Sequence, residues 1–303
     1  MVIREATFDE ALQLYKSYCK ARGLAERTLA TYTSALNQLR ASLVNSKEPC
    51  PLPGREDLRS FTASLLSKGY ARTTISIRMR AIRAFGAFLK REGILNANPM
   101  DGVAIPKIPI SYPEVLSTEE MARLLKAART PTWHGTRNHA LIAMFCDTGL
   151  RLSELVSLDV DDVDLNALSV RVRRGKGGKE RRAYIGHTLA RALRRWIEIR
   201  PFAAGSTAFY CTTQGRRLDT RNVARIIERV ANKAGLENRR VHPHMLRHSF
   251  ATHYIQNGGD PFSLQRILGH SDIKTTMIYV NLAGVGLQEA HAKASPVDRM
   301  LSR

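Results

Sequence analysis

The segment DGVAIPKIPISYPEVLS, residues 101–117, carries Pro106, Pro109 and Pro113 within a short span. Proline has no amide hydrogen to donate, fixes its own φ and pushes the preceding residue out of the α region, so this run can neither continue a helix nor lie in a central strand. The chain must therefore fold as two bodies joined by an extended connection at residues 102–113. A first domain is expected over 1–101 and a second over 114–303. With 303 residues, 44% of them hydrophobic, there is apolar material for two cores.

Before the connection every periodic stretch is helical. From Thr7 to about Val44, Phe8, Leu12 and Tyr15, and then Leu29, Tyr32, Ala35, Leu36 and Leu39, recur at helical spacing, with Gly23 and Glu26 to Thr28 as the break. After the proline-rich EPCPLPG of 48–54, Leu58, Phe61, Leu65 and Leu66 resume the pattern until Gly69. Thr73 to Glu92 sets Ile75, Ile77, Met79, Ile82, Phe85, Phe88 and Leu89 on one side. Arg72, Arg78, Arg80, Arg83, Lys90 and Arg91 fall mostly on the others, which predicts a basic amphipathic helix ended by Asn98-Pro99.

The second half mixes elements. Ser117 to Glu120 opens a helix, with Thr118 as the expected cap. Arg137 to Leu158 reads as an apolar helix, a turn at Gly149 and a second helix starting between Arg151 and Glu154, whose spacing suits an ion pair. Leu168 to Ile185 alternates around a glycine-rich turn and predicts a β-hairpin, Lys176 at its tip and Lys179, Arg181 and Arg182 on the return. Amphipathic helices follow at 188–199 and 220–234. The stretch from His242, HPHMLRHSFATHYIQNGGDPFSLQRILGHSDIKTTMIYVN, holds three more, the last capped by Ser271, and Leu287 to Lys293 suits a further short one. The fold class is mainly α with a small β-hairpin or sheet.

Forty-seven Lys and Arg against 27 Asp and Glu leave a formal charge of +20, a surplus that a polyanion would use. Nucleic acid is the leading partner, with an anionic membrane surface behind it. Cys19, Cys50, Cys146 and Cys211 are dispersed without C-x-x-C pairing, which suits free thiols in a reduced, cytoplasmic protein. No leader-like segment and no uninterrupted apolar run of membrane-spanning length is present, so neither export nor a membrane is expected.

The chemistry gathers between His242 and Asn281. Tyr279 offers a phenol as nucleophile, and His244, Arg247 and His270 are residue types that manage protons and negative charge around a phosphate. Paired carboxylates, the usual cradle for two metal ions, are absent from this stretch, so neither a metal nor another cofactor is expected. The ordered set TGLRLSEL (148–155), RGKGGKE (174–180), HMLRH (244–248), LGH (268–270) and Tyr279 resembles the tyrosine recombinase, or phage integrase, family. Within it the chain looks most like compact Xer-type and transposon-borne integrases, and the resemblance covers nearly the whole sequence.

That resemblance implies a helical, SAM-like core-binding domain followed by a mixed α/β catalytic domain. It implies that Arg151 and Arg247 grip the scissile phosphate, Lys176 (rather than Lys179) is the general acid, His244 and His270 complete the pocket, and Tyr279 is the nucleophile. His244 is the expected acceptor of the tyrosine proton. The product is a 3′-phosphotyrosine, formed without metal or ATP, which a 5′ hydroxyl of another strand can reverse. The expected partner is double-stranded DNA carrying specific recombination sites, clasped between two basic lobes, with a homo- or hetero-tetramer assembled on two sites through the C-terminal tail. The tail sequence itself looks less like a chromosome-dimer resolvase than like mobile-element integrases, so integration or excision and replicon resolution both stay open. The competing readings are a monomeric type IB-like topoisomerase, a catalytically silent DNA-binding regulator, and a histidine-dependent metal phosphodiesterase drawing on Asp260 and Asp272.

Overall fold

The computed structural model describes residues 6–43, 49–108, 112–173, 180–201, 205–284, 291 and 295–301. It divides into two compact units, residues 1–110 and 111–303. The first is helical: α1 (Phe8–Ala21), α2 (Glu26–Leu43), α3 (Arg55–Ser67) and α4 (Arg72–Arg91). A reciprocal capping box starts α1, where Thr7 Oγ1 accepts from the Glu10 amide at 3.3 Å and Glu10 Oε2 accepts from the Thr7 amide at 3.0 Å. The helices close over Phe8, Leu36, Leu58, Ile75, Met79 and Phe85. Tyr15 meets Phe85 edge to face with ring centroids 5.3 Å apart, a geometry that adds to simple burial.

Two details of this unit differ from expectation. Glu26 to Thr28 form the first turn of α2 rather than a break. The helix α4 ends at Arg91, two residues before Gly93 at φ +71°, and not at Asn98-Pro99. Asn98 instead turns back onto α4, its Nδ2 donating to the Arg83 carbonyl at 3.1 Å while its Oδ1 accepts from the Met100 amide at 3.0 Å. On α4 the buried stripe is as expected except at Ile77, which faces solvent.

The second unit runs α5 (Thr118–Ala128), α6 (Trp133–Thr148), α7 (Leu152–Ser157), β1 (Val163–Asp164), β2 (Ser169–Val172), β3 (Arg181–Tyr184), α8 (His187–Ile199), α9 (Thr220–Lys233), α10 (Pro243–Gln256), α11 (Pro261–Leu268), α12 (Ile273–Ala283) and α13 (Pro296–Leu301). The hairpin strands pair antiparallel with Val170 opposite Ala183 and Val172 opposite Arg181, and β1 adds a third strand that alternation over so short a segment did not signal. Residues 174–179, with Lys176 and Lys179, lie outside the described residues, as does most of 287–293. Ser117, not Thr118, caps α5: its Oγ accepts from the Glu120 amide at 3.2 Å and Glu120 returns the bond to the Ser117 amide at 2.8 Å. Likewise Asp272, not Ser271, caps α12, accepting from the Lys274 amide at 2.9 Å, because a carboxylate one residue later reaches the first free amide.

Helix α6 is buried at Ala140, Leu141, Met144 and Phe145 and forms the centre of the larger core. Its C-terminal end is set by Gly149 at φ +59°, where a Cβ would strike the Phe250 ring and come within 2.9 Å of Leu268 Cδ2. Both the backbone conformation and the packing exclude a side chain there. Gly149→Ala is expected to cost about 2–4 kcal/mol, adding αL strain to overpacking. A urea titration of the purified variant checks this; an unchanged midpoint would contradict it.

Candidate active site

Two helix ends define the site. Helix α6 stops at Gly149 and α11 stops at Gly269, at φ +66°, and both leave carbonyls without intrahelical partners at the negative end of a helix. Arginines fill that need. Arg247, on α10 and 4% exposed, donates through Nη1 to the Gly149 carbonyl at 2.6 Å and through Nη2 to the Leu268 carbonyl at 2.8 Å. Arg151, the N-cap of α7, donates through Nη2 to the Gly269 carbonyl at 3.3 Å. Arg247 is thus fastened to both helix ends, and Arg151 to the end of α11. Burial first, and then the neighbouring Arg151, lower the Arg247 pKa to about 10, so it stays protonated at neutral pH.

Glu154 fixes the direction of Arg151, as the spacing anticipated, with Oε1 accepting from Arg151 Nη1 at 2.9 Å and Oε2 from its amide at 2.8 Å. A second cation, Arg181 of β3, also grips this carboxylate, both Nη atoms donating at 2.8 Å, while its Nε donates to the Ile267 carbonyl at 2.9 Å. Burial raises the Glu154 pKa, but the bonds and charges of Arg181 and Arg151 outweigh it and hold the carboxyl below its usual range. Arg181 therefore ties the hairpin to α7 and α11, a role that charge counting on the strand did not reveal.

His270 follows Gly269 directly. Its Nε2 lies 3.1 Å from Arg247 Nη2 and its Nδ1 lies 3.0 Å from the hydroxyl of the buried Thr276. Since the guanidinium can only donate, Nε2 accepts and Nδ1 carries the proton. Tyr279 sits on α12, 3% exposed, seated among Phe250, Ala251, Leu264 and Leu268. Its ring stacks with His270, centroids 6.2 Å apart, and its hydroxyl lies 2.9 Å from Nδ1 of His248. Burial lifts the phenol pKa, while Arg247 and Arg151 pull it back.

Four of the six residues expected in the site, Arg151, Arg247, His270 and Tyr279, are brought together here. His244 is on the exposed side of α10, one helical turn from His248, ring centroids 6.4 Å apart, and Lys176 falls outside the described residues. Burial, then His242, Arg247 and Arg151, lower the His244 pKa. Sequence reading did not single out His248, Arg181 or Thr276. His248 was in view inside HMLRH, but adjacency to Arg247 on a helix says nothing about which neighbour its ring will meet.

The Phage integrase family profile matches residues 114–284, the unit that holds this pocket, and the N-terminal SAM-like domain of phage integrases matches residues 12–93. The chain belongs to the phage integrase family, the tyrosine recombinases. It is 37% identical to tyrosine recombinase XerC of Salmonella typhi over 79% of both chains. It is 34% identical to tyrosine recombinase XerC of Alcanivorax borkumensis over 91% of this chain and 90% of that one. Among solved structures it shares its fold with a lambda integrase tetramer bound to a Holliday junction, with a TM-score of 0.72 at 19% identity over 91% of this chain and 78% of that chain.

The buried histidines of this pocket are expected to make the fold sensitive to acid. Burial, with Arg247 among the charges nearby, lowers the pKa of both His248 and His270 to about 4, against about 6.5 in an unfolded chain. The folded state thus favours neutral rings, and the stability they contribute is complete above pH 6.5 and is lost as pH falls toward about 4. Urea midpoints measured across that window are expected to fall, and to fall less in a His248→Gln, His270→Gln double variant. An equally steep fall in both proteins would contradict the assignment.

Proposed function

We propose that Tyr279 of this site-specific DNA recombinase attacks the scissile phosphodiester while Arg151 and Arg247 hold its non-bridging oxygens, with His244 and His270 completing the pocket and Lys176 protonating the leaving 5′ oxygen. The observation that carries this reading is the convergence of both guanidiniums on the glycine-ended terminus of α11 beside the Tyr279 phenol. A phosphodiester gains charge on its equatorial oxygens as it becomes pentacoordinate, and two preorganised cations stabilise that charge. Each contributes on the order of 3 kcal/mol to lowering the barrier, judged from the loss of comparable anion donors. The bond formed, a 3′-phosphotyrosyl ester, resembles the bond broken, so a 5′ hydroxyl from a second duplex can reverse the step without an external energy source. The role of Lys176 rests on family resemblance alone.

In this reading residues 1–101 form the core-binding domain, 102–113 the linker, and 114–303 the catalytic domain with its tail. The arginines of α4 and the hairpin bind DNA backbone phosphates. The active form is a tetramer on two double-stranded sites, supported by the family and by the tetrameric lambda integrase complex of the same fold. Between the two biological roles left open by the tail, the relatives named XerC support the Xer-type branch.

The test uses nicked duplexes that lose a short fragment on cleavage, chosen from a random-sequence pool by their binding to the protein. Incubation in EDTA without nucleotide is expected to give a covalent protein–DNA adduct, and peptide mass spectrometry is expected to place the phosphoryl group on Tyr279. Tight binding with no adduct would favour a silent DNA-binding regulator, and relaxation of supercoils by monomers on single sites would favour a topoisomerase.

A further inference from the structure

The Tyr279 hydroxyl has one hydrogen-bond partner among the described residues, Nδ1 of His248 at 2.9 Å. The two rings are tilted by 38° with centroids 5.8 Å apart. His270 lies against the same phenol but has both ring nitrogens engaged, by Arg247 and by Thr276. His244 lies beside His248, ring centroids 6.4 Å apart, and makes no hydrogen bond to the phenol among the described residues. A phenol that becomes a nucleophile must release its proton, and among these three imidazoles only His248 has a nitrogen at the oxygen that reacts.

We propose that His248 is the proton acceptor for Tyr279 in strand cleavage and the proton donor to it in rejoining. In cleavage the Tyr279 Oη–P bond forms, the P–O5′ bond breaks, the phenolic proton passes to His248 Nδ1, and the 5′ oxygen receives its own proton from the general acid. In rejoining the 5′ hydroxyl attacks phosphorus and gives its proton back to the conjugate base of the general acid as the P–O5′ bond forms, the Oη–P bond breaks, and His248 returns its proton to the departing phenolate. The assignment rests on Tyr279 being the nucleophile, as proposed above.

The surroundings of His248 tie this role to DNA. His242, His244 and Arg247 on its own helix face it, and Tyr279 faces it from α12. Burial first, and then His244, Arg247 and His242, lower the ring's pKa to about 4, so it is neutral at physiological pH and accepts through Nδ1 in its Nε2–H tautomer, but the same surroundings make it a weak base before substrate arrives. A phosphate bound between Arg151 and Arg247 brings negative charge that offsets those neighbours and strengthens the base when a nucleophile is needed. An unliganded enzyme would thus hold Tyr279 as a neutral phenol.

Single-turnover cleavage of the nicked duplexes by His248→Ala and His244→Ala tests the proposal. General-base removal is expected to slow cleavage by His248→Ala roughly 10²–10⁴-fold, with partial recovery on adding imidazole. A second measurement separates proton transfer from damage to the pocket. In a Tyr279→Ala background, a strand ending in 3′-p-nitrophenyl phosphate is rejoined to a 5′ hydroxyl, releasing p-nitrophenolate, which needs no proton at neutral pH. His248→Ala is expected to leave that rejoining within a few-fold of its parent. Cleavage by His248→Ala at the wild-type rate would overturn the proposal. So would an equal loss in both reactions, which marks a structural role, or selective loss and imidazole rescue in His244→Ala instead. Absence of an adduct with the wild-type protein would instead strike at the wider reading of Tyr279.

Discussion

Arg247→Lys is expected to slow single-turnover cleavage by roughly 10²–10³-fold although the positive charge remains. The guanidinium spans two directions at once, Nη1 to the Gly149 carbonyl and Nη2 to the Leu268 carbonyl and His270 Nε2. An ammonium on a flexible stem cannot reproduce that fixed fork and also present donors to a phosphate. It would leave at least one buried carbonyl at a helix end without its donor, which costs about 1–3 kcal/mol. It would also release the His270 ring that stacks with Tyr279. Trapping rates on the nicked duplexes and urea midpoints, measured on one preparation, check both effects. Cleavage within a few-fold of wild type would show that charge alone, not the fork, is what the phosphate requires.

Glu154→Gln is expected to have the largest effect on stability of any single change in this pocket. The carboxylate is 3% exposed and neutralises two guanidiniums, those of Arg151 and Arg181. The amide removes the charge and turns one acceptor oxygen into a donor facing other donors. Breaking a buried pair in this way costs about 3–5 kcal/mol, because the partner charges remain. For a unit of this size that is a fall of roughly 6–20 °C in Tm. Function should suffer as well, since Arg151 loses the bond that aims it and Arg181 no longer ties the hairpin to α11. Differential scanning calorimetry reads the first effect and adduct formation well below the new Tm reads the second. A Tm within a degree or two of wild type would mean that the Arg181 and Arg151 contacts are individually dispensable.

The comparison of sequence with structure is sharpest at Glu154. Its pairing with Arg151 was legible because three residues on a helix bring side chains together. Its stronger clasp by Arg181 was not, since that residue lies on a strand 27 positions away and meets Glu154 only once the hairpin packs on α7 and α11. The same division separates the two histidines of HMLRH. A motif identifies the residue types that phosphoryl transfer needs, and His244 carried that resemblance. Which imidazole meets the Tyr279 hydroxyl depends on how α12 crosses α10, and that crossing set His248 there.

Local chemistry is written locally, which is why so much of the helical layout was readable. Prolines at 106, 109 and 113 forbid regular structure, glycines at 149 and 269 stop helices, and apolar spacing marks the buried faces of α4, α6 and α10. The errors were local too, at the caps of α5 and α12, where adjacent polar residues compete for the same free amides. The sequence by itself determined the helical character, the family and the residue types of the pocket, because periodicity, backbone restriction and motif order are properties of neighbours along the chain. Only the tertiary structure decided that Arg151 and Arg247 share the end of α11, that Arg181 secures Glu154, and that His248 holds the phenol. Those bonds join residues far apart in sequence, and their geometry exists only after the core has packed.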